Sequence, residues 1–297
     1  RWSDLDCDVY RFNYVYRIDS KSLLSLIGSY KGWEANVALL YTHVQDHTVA
    51  QADAMQKLTP MFLLSYKKDE WIFRAFHKRI FRAPTLNDLY YTLVGNTKLN
   101  PEYTSQWDAG IDYKGKRFHF AVDGYYNHID DKIVAIPMKC QFRWSMVNFG
   151  KVKSYGASFS GGYNQDWGKF SLAANANYTY QIDKDYTMPS DPEYKNYIPY
   201  SPMHSGSVIL DLGYDSYSLC TSFLYTGERF ALVSNNADDL LGDWYTIDLK
   251  LNKRFKIGKY VLQTTLECNN LTDSRHEVVK RYPMPGRNWK CTVKFEL

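Results

Sequence analysis

Strict two-residue alternation sustained over eight to eleven positions, and repeated along the chain, restricts its fold more than any other feature. From Tyr245 the odd positions run Tyr245, Ile247, Leu249, Leu251, while the even ones run Thr246, Asp248, Lys250, Asn252. A period of two sends successive side chains to opposite faces of a β-strand, so one face is oily and the other polar. The pattern recurs in Phe118, Phe120, Val122 against His119 and Asp123, in Phe170, Leu172, Ala174, Ala176, Tyr178 against Ser171, Asn175, Asn177, and in Val208, Leu210, Leu212, Tyr214. The final segment sets Trp289, Cys291, Val293, Phe295, Leu297 against Asn288, Lys290, Thr292, Lys294, Glu296. Strands of soluble proteins are usually about 5 to 6 residues long, shorter than these. A soluble β-propeller or sandwich, whose turns recur at about this spacing, is the lesser alternative.

The fold class is therefore read as all-β, a transmembrane antiparallel β-barrel occupying residues 1–297. No stretch approaches the roughly 18 apolar residues of a membrane helix, and strands can cross lipid only when a closed barrel satisfies their backbone groups. Composition agrees. Mean hydropathy is hydrophilic, yet aromatic residues make up 16% of the chain, a combination expected where every second residue faces lipid and the others a polar lumen. The net charge of +4, from 36 basic and 32 acidic residues, is too balanced for a nucleic-acid partner. The five cysteines, Cys7, Cys140, Cys220, Cys268 and Cys291, show no CxxC spacing. Cys268 and Cys291 fall nearly opposite when the last two strands are aligned by their ends, which makes a cross-strand disulfide conceivable beside the reading of two lipid-facing thiols. Opening at Arg1, with neither initiator methionine nor signal peptide, the sequence is expected to be a mature or partial chain.

Two kinds of connection alternate. Short turns are expected at Lys31-Gly32, Lys68 to Glu70, Lys114 to Lys116, Asp166 to Gly168, Gly213 to Ser216 and Lys256 to Lys259. Long polar segments run from Pro84 to Pro101, Asp130 to Asn148, Asp183 to Tyr200, Glu228 to Asp243 and Leu271 to Arg287. Turns on one rim and loops on the other describe an outer-membrane barrel with the turns periplasmic and the loops extracellular. The count predicts about 14 strands, each near the 9 to 11 residues needed to span.

Several segments resemble, in order, the C-terminal half of the TonB-dependent outer-membrane receptors: FRAPTLNDLYY (Phe81 to Tyr91), GNTKLNPE (Gly95 to Glu102), YNHIDDKIVAIP (Tyr126 to Pro137), NFGKVKSYG (Asn148 to Gly156), NNLTD (Asn269 to Asp273) and YPMPGR (Tyr282 to Arg287). The resemblance covers about Pro60 to Leu297. It implies that this chain supplies about 14 strands of a barrel of about 22, with the plug domain absent from it. It also implies active uptake of a scarce, large solute without bond chemistry, so no enzyme and no cofactor. The partners implied are the plug and remaining strands, the TonB-ExbB-ExbD complex acting through that plug, outer-membrane lipid and a surface lipoprotein. Details of FRAPTLNDLYY, DKIVAIP and the PMPGR ending are similar to the cobalamin and siderophore branch of Bacteroidetes-type bacteria. Cobalamin is the expected solute, a ferric siderophore or haem the alternative, and a passive 14-strand porin a further one.

A bulky solute above a plug calls for aromatic and amide groups on long loops and upper lumen walls, which offer flat apolar area and hydrogen bonds together. Tyr90, Tyr91, Phe142, Arg143, Trp144, Tyr197, Asn235 and Asn236 meet that description; each suits girdle or loop packing equally. His43 and His47 lie about 13 Å apart on a strand, too far to share a metal. Asp238 and Asp239 are expected as solvated loop acids before any cation contact. No Walker loop, GxSxG or HExxH is present.

Overall fold

The computed structural model describes residues 2–5, 15–48, 52–92, 94–137 and 144–296. Its strands are β1 (Trp2–Leu5), β2 (Val15–Tyr30), β3 (Trp33–His47), β4 (Met55–Lys68), β5 (Trp71–Arg82), β6 (Glu102–Lys114), β7 (Phe118–Pro137), β8 (Trp144–Trp167) and β9 (Phe170–Asp185). They continue as β10 (His204–Tyr214), β11 (Tyr217–Thr226), β12 (Arg229–Phe230), β13 (Leu240–Leu241), β14 (Trp244–Ile257), β15 (Tyr260–Asn269), β16 (Glu277–Val279), β17 (Tyr282–Pro283) and β18 (Asn288–Glu296). Among the described residues one α-helix, α1, spans Leu86–Tyr90, and a single 3-10 turn covers Ala237–Asp239. Fourteen strands form a single antiparallel sheet in which every strand pairs with its sequence neighbour, β11 passing to β14 and β15 to β18. The edges of this barrel wall are β1 and β18. A single continuous sheet excludes the propeller, whose blades are separate four-stranded sheets. Among the described residues no helix is long and apolar enough to cross a membrane.

All six short turns fall where the sequence places them. Five are two-residue connections whose first residue takes a left-handed backbone, Lys31, Asp69, Gly168, Asp215 and Gly258, the conformation that matches the strand twist in tight hairpins. Two expectations need correction. The strands β2 to β9 and β14 are longer than 9 to 11 residues, from 12 in β5 to 24 in β8, while β10, β11, β15 and β18 keep to that length. The segment from Asp130 to Asn148 is correspondingly not a loop: β7 runs on to Pro137 and β8 begins at Trp144, paired as Ile133↔Asn148 and Pro137↔Trp144. The β-branched run Ile133-Val134 favours that extension.

Pairing aligns side chains into rows across the strands. On the outward face Phe73, Ile111, Val122 and Phe159 are consecutive partners, an apolar band that only lipid could cover. The inward face carries Arg74, Asp108, Asp112 and Asp123. Arg74 bonds Asp112 at 3.2 Å and also pairs with Asp123. Gly110 faces Asp123, and a β-carbon there would collide with that carboxylate. Farther round, Glu267 lies 3.5 Å from both Lys250 and Lys290. The register also decides the cysteine question. Cys268 stands opposite Trp289 and Cys291 opposite Leu266, and both thiols are free. Aligning the strands by their ends slips the register by two residues and leaves these cysteines diagonal.

Candidate ligand-binding face at the loop end

The long connections fold back over the inner face and build a second, smaller core at one end of the wall. Thr85 starts α1 with a capping box: its hydroxyl accepts from the Asp88 amide, and the Asp88 carboxylate accepts from the Thr85 amide. Such reciprocal caps satisfy two of the donors a helix start leaves open. Leu86, Leu89 and Tyr90 are thereby directed against Val15, Leu99 and Ile133. The Tyr90 hydroxyl donates to Asp46 (2.9 Å) and accepts from the Ala52 amide (3.2 Å). Asp46 is held by Arg17 through two bonds of 2.6 and 2.8 Å, and a third guanidinium donor reaches the Pro84 carbonyl at 2.6 Å. The FRAPT segment is thus pinned to β2 and β3 by charge-assisted bonds, and burial pushes the Tyr90 phenol up to about 12.

A second cluster joins three other connections. Asn235 has a left-handed backbone, and its side chain brackets Tyr197, accepting from the Tyr197 amide (2.6 Å) and donating to its carbonyl (3.1 Å). The Tyr197 ring stacks on Phe230. Nearby, the buried Arg229 guanidinium donates to the carbonyls of Glu277 (2.5 Å), Val278 (3.2 Å), Gly242 (3.3 Å) and Gly227 (3.5 Å). Desolvation lowers its pKa. Lys280 closes the cluster with an ion pair to Asp239 at 2.8 Å.

These positions separate the eight expected residues. Tyr90 is 1% exposed, and both it and Asn235 spend their polar atoms on holding loops in place. Tyr197 shares that scaffold. Tyr91 and Asn236 are exposed beside them, and Trp144 packs its ring 6.0 Å from Tyr200. Phe142 and Arg143 lie outside the described residues. The structure adds a pair that loop-based reasoning misses: Trp244, at the loop end of the inner face of β14, stacks on His276 with centroids 4.3 Å apart. The signal was available, because Trp244 stands in register with the polar set Thr246, Asp248, Lys250. Asp239 is a buried ion-pair partner of Lys280, Asp238 remains exposed, and no cluster of three metal-ligating side chains occurs among the described residues.

The family described as TonB dependent receptor-like, beta-barrel matches residues 9–271. The chain belongs to this family. Its place is accordingly the outer membrane of a Gram-negative cell. Vitamin B12 transporter BtuB of Vibrio vulnificus (strain YJ016) is 23% identical over 220 residues, covering 72% of this chain and 33% of that protein. Among solved structures, the unliganded ferric citrate transporter FecA aligns with a TM-score of 0.71 at 14% identity, covering 93% of this chain and 44% of that one. BauA, the ferric preacinetobactin receptor of Acinetobacter baumannii, aligns with a TM-score of 0.72 at 12% identity over 95% of this chain and 43% of that one. The chain thus spans a third of the length of that B12 transporter and under half of these receptor structures. As a TonB-dependent receptor barrel it presents its short turns to the periplasm and its loop clusters to the outside.

Proposed function

We propose that this barrel segment belongs to a TonB-dependent importer of a corrinoid, with the solute captured at the loop end and no bond chemistry performed. One observation carries the corrinoid reading: the relative that matches 72% of this chain in sequence transports vitamin B12, whereas the iron receptors agree in fold alone. The geometry is compatible with it. Trp144 with Tyr200, and Trp244 with His276, offer flat aromatic surfaces at the mouth, suited to a large planar macrocycle. Tyr91 and Asn236 supply exposed aromatic and amide groups beside them, and Phe142 and Arg143, outside the described residues, are proposed as further contacts. Tyr90, Tyr197 and Asn235 support that surface from behind. A plug domain, the remaining strands and the TonB-ExbB-ExbD complex would complete the machine, and a surface lipoprotein would sit over the loops.

Tryptophan fluorescence of the full-length receptor in detergent tests this directly. Titration with cyanocobalamin should give saturable quenching, and Trp144→Phe should reduce its amplitude. Saturation by a ferric siderophore with silence towards cyanocobalamin would replace the corrinoid by an iron chelate.

A further inference from the structure

We infer that the His276 imidazole is an axial ligand to the metal at the centre of the imported solute, joining the cobalt of a corrinoid through Nε2. The inference rests on the corrinoid importer proposed above and assigns one of its contacts. His276 stands immediately before β16 at the loop end, and its backbone is held on both sides. On one side Asn270, itself buried with a left-handed backbone, brackets Ser274. Its side-chain oxygen accepts from the Ser274 amide (2.9 Å) and its side-chain nitrogen donates to the Ser274 carbonyl (3.0 Å). On the other side Arg229 holds the Glu277 and Val278 carbonyls, and the Met284 amide donates to the carbonyl of His276 itself (2.9 Å).

That fixed backbone decides which ring nitrogen is free. Nδ1 lies 3.1 Å from the Ser274 carbonyl. A carbonyl can only accept, so Nδ1 carries the proton, and in the neutral ring Nε2 keeps its lone pair. The Trp244 indole lies against the imidazole, 20° from parallel with centroids 4.3 Å apart, and hinders its rotation. Nε2 makes no hydrogen bond among the described residues and is not buried. One ring nitrogen tied to a carbonyl and the other left open is the arrangement that orients a metal-ligating histidine.

The surroundings also limit the kind of metal. No three metal-ligating side chains come together among the described residues, so a bare ion would find fewer protein donors than a lasting metal site provides. A single imidazole suffices for a metal whose remaining positions are already filled. Cobalt held in the plane of a corrin with water on one axial side meets that condition, and imidazole nitrogen suits first-row transition metals. The step is a ligand exchange: the Nε2–cobalt bond forms, the cobalt–water bond breaks, the water leaves intact, and the oxidation state of cobalt is unchanged. Because the lone pair lies in the imidazole plane, the macrocycle stands across the edge of the Trp244–His276 stack.

Visible absorption of the corrinoid, titrated with the full-length receptor in detergent, tests this with two probes: aquacobalamin, whose axial water exchanges, and cyanocobalamin, whose cyanide is held. Aquacobalamin should show the spectral change of imidazole replacing water when it binds the wild type, and cyanocobalamin should bind without one. Tryptophan quenching should give aquacobalamin the tighter binding by at least about tenfold. His276→Gln should abolish the spectral change and bring the two affinities together. Trp244→Leu, which keeps the imidazole but frees it to turn, should weaken the spectral change, so the test stands even if the His276 variant fails to fold. Heat-modifiable gel mobility reports the folding of each variant. His204→Gln, whose ring bonds Tyr178 on the outward face, should change nothing. A spectral change that survives in folded His276→Gln would overturn the inference. Quenching by both cobalamins with no spectral change would also overturn it and leave the corrinoid importer standing, whereas silence towards both would sink that importer and the inference with it.

Discussion

Single side chains fix the loops here, and their chemistry sets what each would do if changed. Tyr90 has a folded pKa near 12 against an ordinary value near 10, chiefly through burial. A group raised in this way contributes stability that is fully present below about pH 10 and is lost as the pH climbs towards 12. Ultraviolet difference titration of the phenols should show a late-ionising fraction, and Tyr90→Phe should reduce it by one phenol. Arg229 donates its hydrogen bonds to four carbonyls from two loops. Arg229→Met strands those carbonyls at a cost of about 1–3 kcal/mol. Hydrogen exchange of the amides near Gly242 and Glu277 should accelerate, and Lys should not rescue it, because a single ammonium cannot reach both loops as a planar fork does. Residue type and loop position made Tyr90 and Asn235 visible in the sequence as candidates. Their direction was not legible, because the left-handed backbone at Asn235 and the capping box that turns Tyr90 inward are decided by neighbours in space.

At the scale of the strand, alternation carried nearly all the information. It gave the outward sets of β7, β9, β10, β14 and β18 and the six hairpin turns, because period two and turn chemistry are both local. Strand length escaped it. In β7 and β8 the ladder leaves the bilayer and continues to Pro137 and Trp144, where water surrounds both faces and the hydrophobic contrast that marks a strand fades. The Cys268–Cys291 diagonal escaped for a related reason: a register is set by pairing along the whole strand and not by its ends. Facing can be tested at adjacent residues of β8. Phe159 points to lipid and Ser160 to the lumen. Phe159→Lys should cost about 2–4 kcal/mol if it lies near the bilayer midplane, and Ser160→Lys far less. Reversible unfolding by guanidinium in micelles measures both; equal penalties would contradict the assigned faces.

For the molecule as a whole, the strands form one wall with a charged inner lining and loop clusters at one end. The inward ion network of Arg74 with Asp112 and Asp123, and of Glu267 with Lys250 and Lys290, lines a lumen too polar to be a packed core. On the proposed function a plug fills that lumen, and energy supplied through TonB releases the solute inward. The most direct measurement is accumulation of radiolabelled cyanocobalamin by cells whose only corrinoid importer is the full-length receptor, with and without a protonophore. The expected result is saturable uptake that collapses when the proton-motive force is dissipated. Uptake that rises linearly with concentration and ignores the protonophore would contradict the account and identify a passive pore.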